Sequence, residues 1–268
     1  MHLLFNLRTM KKIHKFEKKA LILSALAFFL VVAGIYTGYP EFKKYLDARA
    51  RNKDVLETQG ITRLAEKPGE TPVTPAPAIK PSALLDMPYT AQAPFANWAV
   101  HEESCEEAAA LMYHYFLEGQ IIFGGSTIIP LQKANDEMLA MKSWQVIKYS
   151  KEPDLTIEAW GKYMQQYYGY NYKTFKNVTV DDIKREVSAG NPVVVPVITH
   201  ALQNPHYGRQ PSYHLLVIKG YKPEGVITND AGVKEGENYF YTWDILFSAI
   251  DAQTPKMGQG REMVVIMK

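Results

Sequence analysis

HEESCEEAAALMYHYF, residues 101–116, contains the only cysteine in a chain of 268 residues. Apolar side chains recur there with helical spacing, and the pattern predicts a helix over residues 103–118. At about 100° per residue, Cys105 shares one face of this helix with Ala108 and Met112. The thiol is therefore predicted to point toward the core, which fits either an inert buried cysteine or a nucleophile.

Four glutamates surround the cysteine and bear on its reactivity. The start of a helix favours a thiolate, because its free N–H groups and its dipole stabilise negative charge. Nearby negative charges have the opposite effect. A nucleophilic Cys105 therefore needs a cationic partner, and histidine is the residue type that supplies one near neutral pH. The four glutamates are Glu102, Glu103, Glu106 and Glu107.

Of the seven histidines, His214 has the most favourable position. It opens a predicted strand, 213–221, which a short turn at 222–225 joins to a second predicted strand, 225–229. Because such a hairpin is antiparallel, Asp230 is expected beside His214. The other histidines are less well placed: His2 and His14 precede an apolar segment, His101 and His114 flank the cysteine, and His200 and His206 lie in a predicted loop.

Together these residues form a constellation suited to acyl transfer. Cys105 is the candidate nucleophile, His214 the candidate base, and Asp230 the carboxylate that orients the base. Gln92 precedes the cysteine in an irregular stretch. Its amide is a candidate donor to the developing oxyanion, together with the backbone N–H of Cys105.

The motifs that carry these residues, YTAQAPFANW…ESCEEAAALMYHYFLEG, YHLLVIKGY and VITNDA, resemble the C39-like branch of the papain-type cysteine peptidases. The resemblance covers residues 85–268. It implies a papain-like cysteine peptidase fold, a Cys105–His214–Asp230 triad with Gln92 in the oxyanion hole, and a peptide or protein substrate. Papain itself uses an asparagine as the orienting residue, so Asn229 is an alternative to Asp230.

The chain departs from the resemblance in two ways, which leave alternatives open. Peptidases that process double-glycine leaders are fused to transporters, and their cysteine is typically followed by glycine rather than by a residue such as Glu106. Leader processing is therefore not implied. Besides a peptidase, the chain is compatible with a binding module that has lost turnover, or with a cell-wall peptide amidase or transpeptidase that uses the same triad.

The N-terminal part predicts attachment to a membrane. Residues 1–19 form a basic tail, and the uncharged residues 20–39 would span about 30 Å as a transmembrane helix. Residues 40–82 read as a charged stalk and a proline-rich linker, and residues 83–268 as the peptidase domain. Lys and Arg are more frequent before the span than after it, which favours an extracytoplasmic domain. Signal cleavage near Ala33, giving a secreted protein, is the alternative.

Composition limits the remaining possibilities. Hydrophobic residues make up 47% of the chain and charged residues 22%, as in globular proteins. The net charge of +2 gives no sign of nucleic-acid binding. A single cysteine excludes an internal disulfide and a four-thiolate zinc site, and the P-loop motif is absent from the sequence. We therefore predict neither a cofactor nor a metal.

The order of the secondary-structure patterns predicts an α+β domain with an antiparallel sheet. Helical patterns come first and apolar, strand-like runs follow. Thr179, with Asp182 three residues later, predicts a capping box at the start of the last helical pattern. The helical patterns are 103–118, 134–144, 154–168 and 180–189, and the strand patterns are 193–199, 213–221, 225–229 and 263–267.

Overall fold

A computed structural model describes residues 43–44, 46–52, 63–64, 78–208, 210–257 and 259–268. The predicted basic tail and transmembrane anchor, residues 1–39, lie outside these ranges. Within the ranges, the helices are too short or too polar to cross a membrane. The residues from Ala48 to Lys268 group into one unit.

The structure confirms the predicted α+β class, but the helices do not all precede the strands, since two strands come first and one helix lies just before the last strand. The strands are β1 Arg63–Leu64, β2 Ala83–Leu85, β3 Asn171–Lys176, β4 Val193–Ile198, β5 Tyr213–Lys222, β6 Gly225–Asn229, β7 Tyr239–Thr242 and β8 Glu262–Met267. The helices are α1 Trp98–His101, α2 Cys105–Leu117, α3 Leu131–Tyr149, α4 Ile157–Tyr168, α5 Val180–Ser188 and α6 Trp243–Met257, with a 3-10 helix at Thr199–Leu202.

The strands of the described residues form one sheet in the order β1-β2-β5-β4-β8-β3, with β6 and β7 continuing from β5. All pairings are antiparallel except that of β1 with β2. β4, with the sequence VVVPVI, is buried along its whole length, and β5 is buried except at Lys222. Continuous apolar runs are typical of strands covered on both faces, and these two strands form the middle of the core.

The β5–β6 hairpin confirms the predicted turn, with Lys222 paired to Gly225. The strand register shifts at a bulge between Ile218 and Gly220. A Cβ atom at Gly220 would lie 2.8 Å from the carbonyl oxygen of Ala83, so the missing side chain lets β2 approach β5 at this point.

Helix α2 differs from its prediction in start and in burial. It begins at Cys105 rather than at residue 103, because residues 102–104 form a turn in which the N–H of Ser104 bonds the carbonyl of His101 at 3.3 Å. Every residue of α2 except His114 is buried, not one face alone. The thiol therefore lies on the first helical residue, where the helix dipole acts most strongly.

The capping box at the start of α5 is confirmed. Thr179 Oγ1 accepts the N–H of Asp182 at 3.3 Å, and Asp182 Oδ2 accepts the N–H of Thr179 at 2.9 Å. β7 and α6 were not predicted. α6 contains Pro255 and has no sharp division into polar and apolar faces, so its periodicity is weak.

We expect Thr179→Ala to lower the free energy of unfolding by about 1 kcal/mol, because the N–H of Asp182 at the start of α5 loses the hydroxyl oxygen that accepts it. Urea unfolding followed by circular dichroism measures the change. Thr179→Ser keeps the hydroxyl and should stay close to the parent protein. Equal stability of the alanine variant and the parent would contradict the assignment of the cap.

Candidate active site

The His214–Asp230 pair lies where β5 begins and β6 ends. Val217 is paired with Asn229, so the hairpin register brings Asp230 diagonally across from His214. His214 Nε2 and Asp230 Oδ1 are 3.0 Å apart, and the side chains are 2% and 0% exposed. The imidazole and the carboxylate therefore form a buried hydrogen bond of good geometry.

Asp230 is held as an anion by several donors. Tyr241 Oη donates to Oδ2 at 2.6 Å, while Tyr207 Oη and the N–H of Gly232 donate to Oδ1. Burial disfavours the charged form, but His214 and the two tyrosines outweigh it and lower the pKa of Asp230 below its usual value. Because a carboxylate only accepts, His214 carries its proton on Nε2 and leaves Nδ1 as an acceptor.

Asn229, the alternative orienting residue, faces a different part of the fold. Its Nδ2 donates to the carbonyl of Pro88 at 2.9 Å, and its Oδ1 accepts the N–H of Asn238 at 3.4 Å. Successive strand residues point to opposite faces, which separates Asn229 from Asp230. Of these two side chains, Asp230 is the one in contact with His214.

The backbone beyond Asp230 forms a tight loop. The N–H of Asp230 bonds the carbonyl of Gly236 at 2.9 Å. A Cβ atom built on Gly236 would lie 1.8 Å from the carbonyl oxygen of Asp230, so the loop closes only around a residue without a side chain.

Cys105 lies against the start of β5 but is bonded to its own neighbour. Its side chain is 5% exposed, and Sγ donates to Glu106 Oε2 at 2.9 Å. Burial raises the pKa of the thiol, the charge and hydrogen bond of Glu106 raise it further, and the backbone N–H of Leu215 acts in the opposite direction. In the part of the chain that the structure describes, no hydrogen bond joins the thiol to His214.

The four glutamates near the thiol are not equivalent. Glu102 and Glu103 are exposed, whereas Glu106 and Glu107 are buried. Glu106 Oε1 accepts the N–H of Leu155 at 3.0 Å, and burial raises the pKa of Glu106 to about 7. Residues 108–117 are apolar apart from His114, and this pattern could have indicated a helix buried on more than one face.

Burial also governs Glu107. It raises the pKa of this carboxyl well above its usual value, and the charges of Glu106 and Glu152 add to the effect. Glu107 Oε1 accepts a hydrogen bond from Gln145 Nε2, while Oε2 has no partner among the described residues. Glu107 therefore bonds Gln145 of α3 rather than the thiol.

Gln92 bonds the backbone next to Asp230 and the backbone of the turn before Cys105. Its backbone N–H bonds the carbonyl of Ala231 at 2.8 Å. Its side-chain Nε2 donates to the carbonyls of His101 and Glu102 at 3.1 and 3.0 Å, in the turn that leads to Cys105. Both amide hydrogens are therefore engaged by the backbone that positions the thiol.

The other histidines of the described residues have roles outside this pair. His101 is buried, with Nδ1 beside Ser104 Oγ at 3.0 Å and Nε2 beside Asn135 Oδ1 at 3.1 Å. His114 stacks on Tyr168 and bonds Tyr170. His200 and His206 are exposed. No group of three or more His, Cys, Asp and Glu side chains in the described ranges converges in a way that suits a metal ion.

Sequence reasoning missed Tyr207 and Tyr241, which hold the carboxylate of Asp230. Tyr207 lies in the loop after the 3-10 helix, and its ring meets that of His214 edge-on with centroids 5.9 Å apart. Tyr241 comes from β7, a strand that the sequence did not predict. Neither tyrosine stands in a motif, so only the three-dimensional arrangement reveals them.

We expect Glu106→Gln to change how stability depends on pH. The pKa of Glu106 is raised from 4.5 to about 7 in the folded protein, so its contribution to stability is complete below pH 4.5 and is lost as the pH rises through about 7. Between about pH 5 and about pH 8 the variant should gain on the order of 2 kcal/mol relative to the parent. Urea unfolding of both proteins at each pH measures this difference. A difference that does not vary with pH would contradict the raised pKa.

The comparison with protein families agrees with the resemblance noted in the sequence, and two solved structures are also similar to parts of the chain. A protein of Bacillus anthracis assigned to the C39-like peptidases is 12% identical, with a TM-score of 0.33 over 44% of this chain, and the chain spans 62% of that protein. Xylellain, a cysteine protease from Xylella fastidiosa, is 13% identical, with a TM-score of 0.32 over 78% of this chain and 95% of that one. A search of curated proteins found no match. The profile of the Peptidase_C39 like family matches residues 84–253, which is more than half of the sequence, and the chain therefore belongs to that family.

Proposed function

We propose that this protein is a cysteine peptidase that hydrolyses peptide bonds through Cys105, His214 and Asp230. The observation that carries the proposal is the buried His214–Asp230 hydrogen bond of 3.0 Å, which lies where β5 begins. Cys105, the only cysteine in the sequence, lies against the same end of β5. Membership of the Peptidase_C39 like family supports the same reaction class and a papain-like fold.

The proposed reaction uses the free nitrogen of the imidazole. His214 Nδ1 takes the proton of the thiol as Sγ attacks the carbonyl carbon of the substrate, and the imidazolium then protonates the leaving amine. Water, activated by the same nitrogen, hydrolyses the thioester and restores the thiol. Asp230 remains ionised throughout and stabilises the imidazolium that forms at each step.

Gln92 is proposed as a donor to the oxyanion. Its Nε2 bonds two backbone carbonyls beside Cys105, so the amide is held close to the nucleophile. Exchange of one neutral carbonyl for the oxyanion is favourable, because hydrogen bonds to charged acceptors are about twice as strong. The backbone N–H of Cys105, on the first residue of α2, is the second proposed donor.

The domain is proposed to act outside the cytoplasm, attached to the membrane by residues 20–39. The apolar run and the excess of Lys and Arg before it support this orientation. Cleavage near Ala33 would release the same domain. Fractionation of cells that express the full-length chain distinguishes the two, since only an uncleaved chain stays with the membranes at high salt.

The experiment that tests the peptidase is hydrolysis of a peptide library by the purified full-length chain, read by mass spectrometry. We expect Cys105→Ala and His214→Ala to lower kcat/KM by about 10³-fold or more, and Asp230→Asn by about 10²-fold or more, because the tautomer of His214 is then no longer fixed. His200→Ala, which removes an exposed histidine, is the matched control and should be unaffected. Hydrolysis that persists in Cys105→Ala would refute the proposal.

A second candidate, a binding module without turnover, is favoured by the Cys105–Glu106 hydrogen bond. A thiol that donates to a carboxylate at 2.9 Å is held protonated, and a protonated thiol is a poor nucleophile. Such a module would bind peptides from the library with equal affinity in the parent and in Cys105→Ala, and would release them uncut.

A further inference from the structure

The carboxyl group of Glu106 is fixed against the thiol from both ends. The backbone N–H of Leu155 holds Oε1 at 3.0 Å, and Oε2 accepts the S–H of Cys105 at 2.9 Å. The carbonyl of Glu106 accepts the indole N–H of Trp160 at 3.1 Å, which secures the backbone. Glu106 therefore cannot turn away from the sulfur without giving up a buried hydrogen bond.

This contact has opposite effects in the two protonation states of the carboxyl. When Glu106 is ionised, it accepts the thiol proton, and formation of a thiolate would place two negative charges in contact within a buried site. When Glu106 is protonated, its O–H can donate to the sulfur and so stabilises the thiolate. The contact between the carboxyl and the sulfur therefore disfavours the thiolate when Glu106 is ionised and favours it when Glu106 is protonated.

The surroundings of Glu106 are mainly acidic. The charge of Asp154 opposes the ionisation of Glu106, and the charge of Glu106 in turn opposes the ionisation of Glu107. The thiol interacts with the backbone N–H of Leu215 at the start of β5, and a charge on the sulfur would raise the pKa of Tyr207. The titratable side chains that interact with the carboxyl or the thiol are Glu107 of α2, Asp154 ahead of α4, Tyr163 of α4, Tyr207 of the loop after the 3-10 helix, and Tyr213 of β5. His214 of β5 directly precedes Leu215, whose backbone N–H acts on the thiol.

We propose that Glu106 is a proton-controlled latch on Cys105, closed while its carboxylate holds the S–H and opened when the carboxyl takes up a proton from solvent. Opening frees the thiol proton to pass to Nδ1 of His214, which leaves a neutral carboxyl, a thiolate and an imidazolium. This inference rests on the proposed function of Cys105 as nucleophile. The raised pKa of Glu106, about 7, puts the change of state near neutral pH.

Alkylation of the full-length chain by iodoacetamide tests the latch, because the single cysteine makes the reaction report on Cys105 alone. The second-order rate is measured from about pH 4.5 to about pH 10, a range that spans perturbed thiol pKa values. Glu106→Gln keeps the size and the acceptor oxygen but removes the charge. We expect the midpoint of its rate profile to lie at least about one pH unit below that of the parent, which is a tenfold larger thiolate fraction at neutral pH.

Glu107→Gln is the matched control. It removes a buried carboxylate one residue further along α2, but Glu107 binds Gln145 rather than the thiol. Its midpoint should move by less than half as much as that of Glu106→Gln. Equal shifts in the two variants, or no shift in Glu106→Gln, would overturn the latch.

An infrared measurement on the parent protein keeps the test valid if Glu106→Gln fails to fold. A carboxylic-acid C=O band that titrates near neutral pH should change frequency when Cys105 is alkylated, because its hydrogen-bond partner is altered. If the frequency of this band did not change on alkylation of Cys105, the contact on which the latch depends would be refuted.

Peptide hydrolysis measured on the same preparations separates the two proposals. A midpoint shift in Glu106→Gln without any Cys105-dependent hydrolysis would support the latch contact and refute the peptidase. Cys105-dependent hydrolysis without a midpoint shift would support the peptidase and refute the latch.

Discussion

The hydrogen bond between His214 and Asp230 is the interaction on which the rest of the site depends, and the pairing of β5 with β6 creates it. The strands are buried and their register is fixed by a short turn at one end and a bulge near the middle. A slip of one residue would send Asp230 to the other face of the sheet, where Asn229 now bonds Pro88. The stability of the central sheet therefore also maintains the chemistry of the site.

Much of this arrangement could be predicted from the sequence, because the decisive signals are local. The turn at 222–225 and the apolar runs beside it predicted the hairpin, and Thr179 with Asp182 predicted a capped helix. Such patterns depend on residues a few positions apart. The same is true of the helix that carries Cys105, apart from its first two residues, which form part of a turn instead.

The features that escaped prediction depend on contacts between distant parts of the chain. Tyr207 and Tyr241 reach Asp230 from a loop and from β7, and nothing in their neighbouring sequence marks them. The burial of Glu106 is likewise a property of the assembled core, since glutamate is normally an exposed residue. Gln92 was identified by its position before the cysteine, but its bonds to the turn of α2 follow from packing.

The site combines a restrained thiol with an imidazole whose orientation is fixed. The carboxylate of Asp230 is bound by two phenols and bonds His214, and its lowered pKa favours the ionised form. Cys105, in contrast, is held by Glu106. In the proposed location outside the cytoplasm, a restrained thiol would also resist oxidation, since oxidation requires the thiolate.

The loop that closes behind Asp230 has a consequence for how this acid is held. With 1.8 Å between the carbonyl oxygen of Asp230 and the place where a side chain of residue 236 would begin, only glycine can occupy that position unless the acid moves. Two residues separate Gly236 from β7, whose Tyr241 bonds the carboxylate of Asp230. One position without a side chain thus allows the chain to return, after a single short loop, to the acid that it has just left and to bind it a second time.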